Sequence, residues 1–113
     1  NTTQLGKQGR LIWEIVNQGA ASRDLSGVYL FEASLSDADL QGANLRGADL
    51  RKADLTKAKL ARADLTRAKL QGTNLSGADL SGAKLNGADL SGIPQAEATS
   101  LVDSLPDRVL STW

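Results

Sequence analysis

Leucine recurs at every fifth position from Leu25 to Leu90, fourteen times in register, and its surroundings repeat with it. The position two before each leucine is alanine in eleven of the fourteen units, the exceptions being Arg23, Val28 and Thr73. The residue between them is Asp, Asn, Lys, Ser or Tyr, and the two after the leucine are mostly polar or glycine, as in Ala78-Asp79-Leu80-Ser81-Gly82. Neither regular element has this period. Five helical steps of about 100° turn each leucine about 140° from the last, so no apolar stripe forms. Five strand steps would throw successive leucines onto opposite faces, although Ala and Leu two apart do share a face. One turn per unit resolves the conflict, and glycine at many of the units' final positions eases it. The pattern predicts a solenoid with a leucine core, each Leu and its partner Ala pointing inward.

These units resemble the pentapeptide-repeat family over residues 23–92. The resemblance implies an all-β solenoid, a right-handed quadrilateral β-helix with four units per coil, whose interior Leu25 to Leu90 and the alanines would line. Fourteen units would then make about three and a half coils, stacked at about 4.8 Å into a column roughly 17 Å tall. Charge supplies separate support for four units per coil, because residues twenty apart would be stacked neighbours. Lys59 then lies between Asp39 and Asp79, Lys69 between Asp49 and Asp89, and Lys84 beside Asp64. Glu32 with Lys52 and Asp37 with Lys57 follow the same rule. Each exposed pair is worth only about 0 to 1 kcal/mol, so their expected role is register.

The flanks divide the chain into three parts: an N-terminal segment with a capping helix (1–22), the repeats (23–92) and a C-terminal helical cap (93–113). In residues 10–18, Leu11, Ile12, Ile15 and Val16 form one apolar arc with Trp13 at its edge. Gly19 supplies a stop, and Gly6 and Gly9 weaken any extension towards Leu5. Ile93 still fits an inward slot, but Pro94 removes a ladder donor. Ala98, Leu101, Val102 and Leu105 then follow helical spacing, and Pro106 opens a last segment ending in Val109, Leu110 and Trp113. Both ends of a solenoid expose hydrogen-bonding edges, so capping is the expected role and a monomer the expected state while both caps are intact.

Departures from the repeat are informative one by one. Arg23 is not expected inside, since an unpaired charge is costly in an apolar core; either the first unit frays at the edge or this side chain turns outward. Val28 adds volume where the N-terminal helix should sit, and the Thr73 hydroxyl is expected to bond a nearby carbonyl. Tyr29 and Phe31 flank Leu30 and point outward, with a place expected beneath the N-terminal segment near Trp13 and a partner surface as the alternative. Phe31 lies twenty residues before Arg51, which offers a cation–π stack.

Composition narrows function more by exclusion than by assignment. Thirteen Lys and Arg balance thirteen Asp and Glu, and the chain has no Cys, His or Met. Disulfides, zinc fingers, thiol nucleophiles and imidazole bases are therefore excluded. The outward aspartates recur as part of the repeat and no calcium-binding nonapeptide occurs, so no catalytic, cofactor-binding or metal-binding residue is assigned. No run approaches the roughly 18 apolar residues of a membrane span, and the compartment is left open. Residues 46–69 carry eight bases, Arg46, Arg51, Lys52, Lys57, Lys59, Arg62, Arg67 and Lys69, against Asp49, Asp54 and Asp64. Four units per coil would spread these charges as a belt without interleaved aromatics, so strong nucleic-acid binding is not expected.

The resemblance implies a non-enzymatic structural or protein-interaction module with a protein partner, in a family many of whose members have no assigned biochemical role. Some members mimic duplex DNA towards gyrase, which requires a rod coated with negative charge. Residues 23–92 carry ten bases and nine acids, which disfavours that alternative. A second alternative is weak anion binding through the belt of residues 46–69.

Overall fold

The computed structural model describes residues 4–93. The C-terminal cap assigned to 93–113 therefore lies, apart from Ile93, outside the described residues, and Ile93 itself is buried as its inward slot requires. The described residues comprise one helix, α1 (Gln4–Gln18), followed by a β-solenoid.

Unit 53–57 shows how five residues make one side of a coil. Leu55 C=O accepts the Ala58 N–H at 3.0 Å, closing a turn across Thr56 and Lys57. Lys57 has φ 60°. A closed four-residue turn with left-handed backbone only at its third residue is a type II turn. Every final position of a unit, from Ser22 to Gly92, has this positive φ; Glu32, Asp37, Lys52, Lys57, Arg62 and Arg67 adopt it without being glycine. The straight part of each side is a single bridged residue, because two of every five residues are spent turning.

Parallel bridges join residues twenty apart along the whole solenoid, from Asp24 with Asn44 to Lys69 with Asp89. Between coils the Asp54, Leu55 and Lys57 amides donate to the carbonyls of Ala33, Asn74 and Ser76, all at 2.8 Å. Four units thus separate neighbours on the same face, the spacing that the lysine and aspartate positions suggested. Leu25 to Leu90 are at most 1% exposed, and the alanines two before them are buried with them. Thr73 takes an alanine slot, and its Oγ1 donates to the Leu50 carbonyl at 2.7 Å, which makes the buried hydroxyl tolerable.

The coiled path opens earlier than the first leucine. The Ala20 and Ser22 amides donate to the Asp39 and Gln41 carbonyls, and Ala20, five before Leu25, is buried in the core. α1 packs on this first coil through Ile15, which is wholly buried, with Leu11 and Ile12 partly buried against the core. Gly19, at φ 77°, ends the helix by donating to the Ile15 carbonyl at 3.1 Å.

Three expectations for this end need correction. The helix starts by Gln4 and runs through Gly6 and Gly9; two glycines cost about 1 kcal/mol each, less than burying the apolar face returns. Val16 is 48% exposed, because it lies about 100° around the helix from Ile15 and faces away from the coil. Trp13 is 57% exposed, so it is Gln8 and Leu11 that overlie the first coil beside Tyr29. Arg23 does turn outward, where it pairs with Glu14 of α1 at 2.9 Å.

Candidate interaction surface

The repeat directs three residues of each unit outward, and the most regular of them is committed to the fold. In unit 53–57 the ladder and the turn occupy four of the five amides and leave the Thr56 N–H over. Asp54 Oδ1 accepts that N–H at 3.0 Å and the Thr56 hydroxyl at 2.5 Å. The same bond to the amide two residues on is made by Asp24, Asp39, Asn44, Asp49, Asp64, Asn74, Asp79 and Asp89, at 3.0–3.3 Å. These are Asx turns, and they explain the preference for Asp or Asn before the leucine.

The bonds favour the ionised carboxylate. Hydrogen bonds from Thr56, Ser81, Ser91 and Ser26 hold Asp54, Asp79, Asp89 and Asp24 below the ordinary carboxylate range. At Asp64, burial pushes upward but is outweighed by Thr66 and Arg46, so its carboxyl is also lowered. Lys59 and Lys69 stack between aspartates and Lys84 beside Asp64, as expected. However, no ion pair within 4 Å joins them among the described residues. The carboxylates are already directed to their own corners, so the stacked lysines do not bind them directly.

One face departs from this regularity. It stacks Tyr29, Asp49, Lys69 and Asp89 before the leucines, and Phe31, Arg51, Gln71 and Ser91 after them. The Tyr29 and Phe31 rings stack with centroids 6.2 Å apart and an interplanar angle of 23°. The Arg51 guanidinium lies 5.2 Å from the centre of the Phe31 ring, so the anticipated cation–π contact forms. Arg51 also grips Asp49 with two bonds, Nε to Oδ1 at 2.8 Å and Nη2 to Oδ2 at 2.7 Å. Those bonds lower the Asp49 carboxyl, with Lys69 adding its field, and raise the Arg51 guanidinium. Beside Tyr29, a groove of about 250 Å³ runs between α1 and the first coil, lined by Lys7, Gln8, Leu11, Gly27, Val28 and Tyr29. Gln8 Nε2 donates to the Phe31 carbonyl at 2.9 Å, joining the helix to this face.

The sequence reading placed the aromatic pair but missed the bidentate grip and the groove. The grip had a signal: Asp49 and Arg51 are two apart, on the same side of an extended segment. The groove had none, because it depends on how the helix crosses the coil.

The bases of 46–69 do form a belt. Lys52, Lys57, Arg62 and Arg67 occupy four successive corners, one on each, all at φ 59–61°. The stem of each runs beside a glycine one coil later, with Cγ 3.2–3.4 Å from where a Cβ would stand on Gly72, Gly77, Gly82 or Gly87. Arg46 is spent on Asp64 at 3.2 Å. Among the described residues no three acidic side chains converge as metal ligands would, and no helix is long and apolar enough to cross a membrane.

A family model for pentapeptide repeats matches residues 24–60 and 58–93, with eight copies of its motif. Among solved structures, a pentapeptide repeat protein from the cyanobacterium Cyanothece 51142 is 40% identical, over 65% of this chain and 46% of that one, with a TM-score of 0.45. This chain thus spans a little under half the length of that relative. A pentapeptide repeat protein from the Arabidopsis thaliana thylakoid lumen is 26% identical over 75% of this chain and 74% of that one, with a TM-score of 0.38. HetL from Nostoc, a pentapeptide repeat protein involved in heterocyst differentiation regulation, is 24% identical over 65% and 60%, with a TM-score of 0.38. No curated protein matches the sequence.

Proposed function

We propose that this chain, which belongs to the pentapeptide-repeat family, is a non-enzymatic structural and protein-interaction module. In this reading the solenoid over residues 23–92 is right-handed and four-sided, with about three and a half coils. Residues 1–22 and 93–113 cap it and keep it monomeric. The twenty-residue spacing of the bridges and the burial of Ile15 and Ile93 support that arrangement.

The observation that carries an interaction role is the Tyr29–Phe31–Arg51 cluster. Elsewhere on the repeats, outward residues are polar, charged, glycine or a single alanine, Ala61. Aromatic and arginine side chains dominate the energetics of protein interfaces, and here they are held rigid by stacking and by Asp49. A photo-crosslinking residue placed at position 29 should trap a discrete protein adduct in the native cell, whereas the same residue at Ser36, on the next face, should not. Identical labelling from both positions would defeat the assignment.

A DNA-mimic role finds no support in a repeat region with ten bases and nine acids. Weak anion binding is the second reading, favoured by the four basic corners.

A further inference from the structure

We infer that Asn86 is a site of spontaneous covalent modification, converted to aspartate and isoaspartate by attack of the following backbone nitrogen. The chain contains one Asn-Gly pair, Asn86-Gly87. Glycine at the second position leaves the nitrogen unshielded by a side chain, and both residues are exposed. In the reaction the Gly87 backbone nitrogen, losing its proton, bonds to Cγ of Asn86 and ammonia leaves. Water then opens the resulting succinimide at either carbonyl, giving aspartate or an isoaspartate whose backbone runs through the side-chain carbon.

What singles out this corner is how little holds it. In the same corner of earlier coils the amides of Gly27, Gly47 and Arg67 are tied to the carbonyls of Arg46, Thr66 and Asn86 at 2.8–2.9 Å. Gly87 N–H has no acceptor among the described residues, and neither has Leu85 N–H. Asn86 N–H also lacks one, because Lys84 stands where other units carry an Asx acceptor. Among the described residues, unit 83–87 therefore leaves three of its five amides without an acceptor, against none in unit 53–57. Two contacts still restrain the turn, Ala88 N–H to the Leu85 carbonyl at 3.0 Å and Arg67 N–H to the Asn86 carbonyl at 2.9 Å. Attack requires that peptide to swing, so the reaction proceeds through local opening of the turn.

The other asparagines described are held differently. Asn44 and Asn74 precede leucine and cap their own corners, and Asn17 precedes glutamine and donates to the Trp13 carbonyl. The consequence of modification is specific to a fold counted in fives: an isoaspartate lengthens the backbone between Leu85 and Ala88, and either product adds a negative charge. The coil that holds unit 83–87 loses register while those before it keep theirs.

The test is to incubate the whole chain at neutral pH and 37 °C, folded and in urea, and digest with trypsin. Cleavage at Lys84 and Arg108 isolates residues 85–108, in which Asn86 is the only asparagine. That fragment should gain the mass difference between amide and acid and split into two isomers, while fragments 24–46 and 70–84, carrying Asn44 and Asn74, stay unchanged. The folded rate should fall within about tenfold of the rate in urea, equivalent to local opening at about 1.4 kcal/mol or less. A fragment 85–108 that stays unmodified in the folded chain while converting in urea would overturn the proposal. So would conversion of Asn44 or Asn74 at the same rate.

Discussion

Replacing Leu55 tests the leucine column where it is most constrained. Leu55 is wholly buried in a unit whose five amides are all bonded, between Leu35 and Leu75 on the same face. Leu55→Ala removes the isopropyl group, a transfer loss of roughly 2 kcal/mol at about 0.8 kcal/mol per carbon. The cavity adds to this, and the ladders above and below hold the neighbouring leucines apart so that the slot cannot collapse. The cost should therefore lie in the upper half of the range of about 2–5 kcal/mol for such substitutions. At about 4–8 °C per kcal/mol for a domain of this size, the melting temperature falls by at least about 14 °C. Leu55→Lys buries a charge without a partner and should consume most of a total stability of about 5–15 kcal/mol. Ser36→Lys, exposed on the same face, should stay within about 0.5 kcal/mol of the parent. Urea unfolding followed by far-ultraviolet circular dichroism measures all three. Stabilities for Leu55→Ala and Ser36→Lys that agree within about 0.5 kcal/mol would refute the inward column.

Thr73→Ala restores the repeat residue, and the pattern alone expects it to be harmless; the bond to Leu50 predicts instead a loss of about 1–2 kcal/mol in the same unfolding assay, hydrogen bond and methyl together. Asp24, Asp49, Asp54, Asp64, Asp79 and Asp89 all have lowered carboxyls, so their stabilisation is complete above the unfolded carboxylate range, near pH 4, and is lost as pH falls through the lower folded values. Unfolding free energy should thus drop on acidification, and Asp54→Asn, which keeps the corner bond without a titrating group, should flatten the decline. Fluorescence-anisotropy titration with duplex DNA and a gyrase supercoiling assay, both at about 0.15 M salt, should show no sub-micromolar effect, because four bases on four corners cannot face one duplex together. Sub-micromolar binding abolished by Lys57→Glu with Arg62→Glu would move the function to the belt.

Much of this fold was legible because one interaction repeats. The five-residue leucine period demanded a corner per unit, and the lysines at 59, 69 and 84 carried the twenty-residue stack that the bridges display. The outward turn of Arg23, the bond of Thr73 and the stacking of Arg51 on Phe31 followed from the cost of misplaced polarity and from that same register. What escaped was geometry that no period encodes. The extent of α1 through two glycines, the exposure of Val16 and Trp13, and the groove beside Tyr29 all depend on how one helix crosses a coil end. The partners of the aspartates were misjudged for another reason. Stacked charges suggested ion pairs between coils, but Asp54 and Asp79 each bond the amide and the hydroxyl of the residue two places on, in their own turns.

That local use of aspartate changes where function should be sought. A carboxylate aimed at its own corner completes the set of backbone bonds that a five-residue side requires. Surface chemistry free to serve a partner is therefore found where the repeat is broken. The first coil breaks it with Tyr29 and Phe31 in slots otherwise polar, and the next coil answers with Arg51, itself clamped by Asp49. Holding a large side chain in one rotamer normally costs entropy at binding. Here stacking and the bidentate pair have already fixed the rings and the guanidinium before any partner arrives, which is what a rigid interaction module would gain from being built as a solenoid.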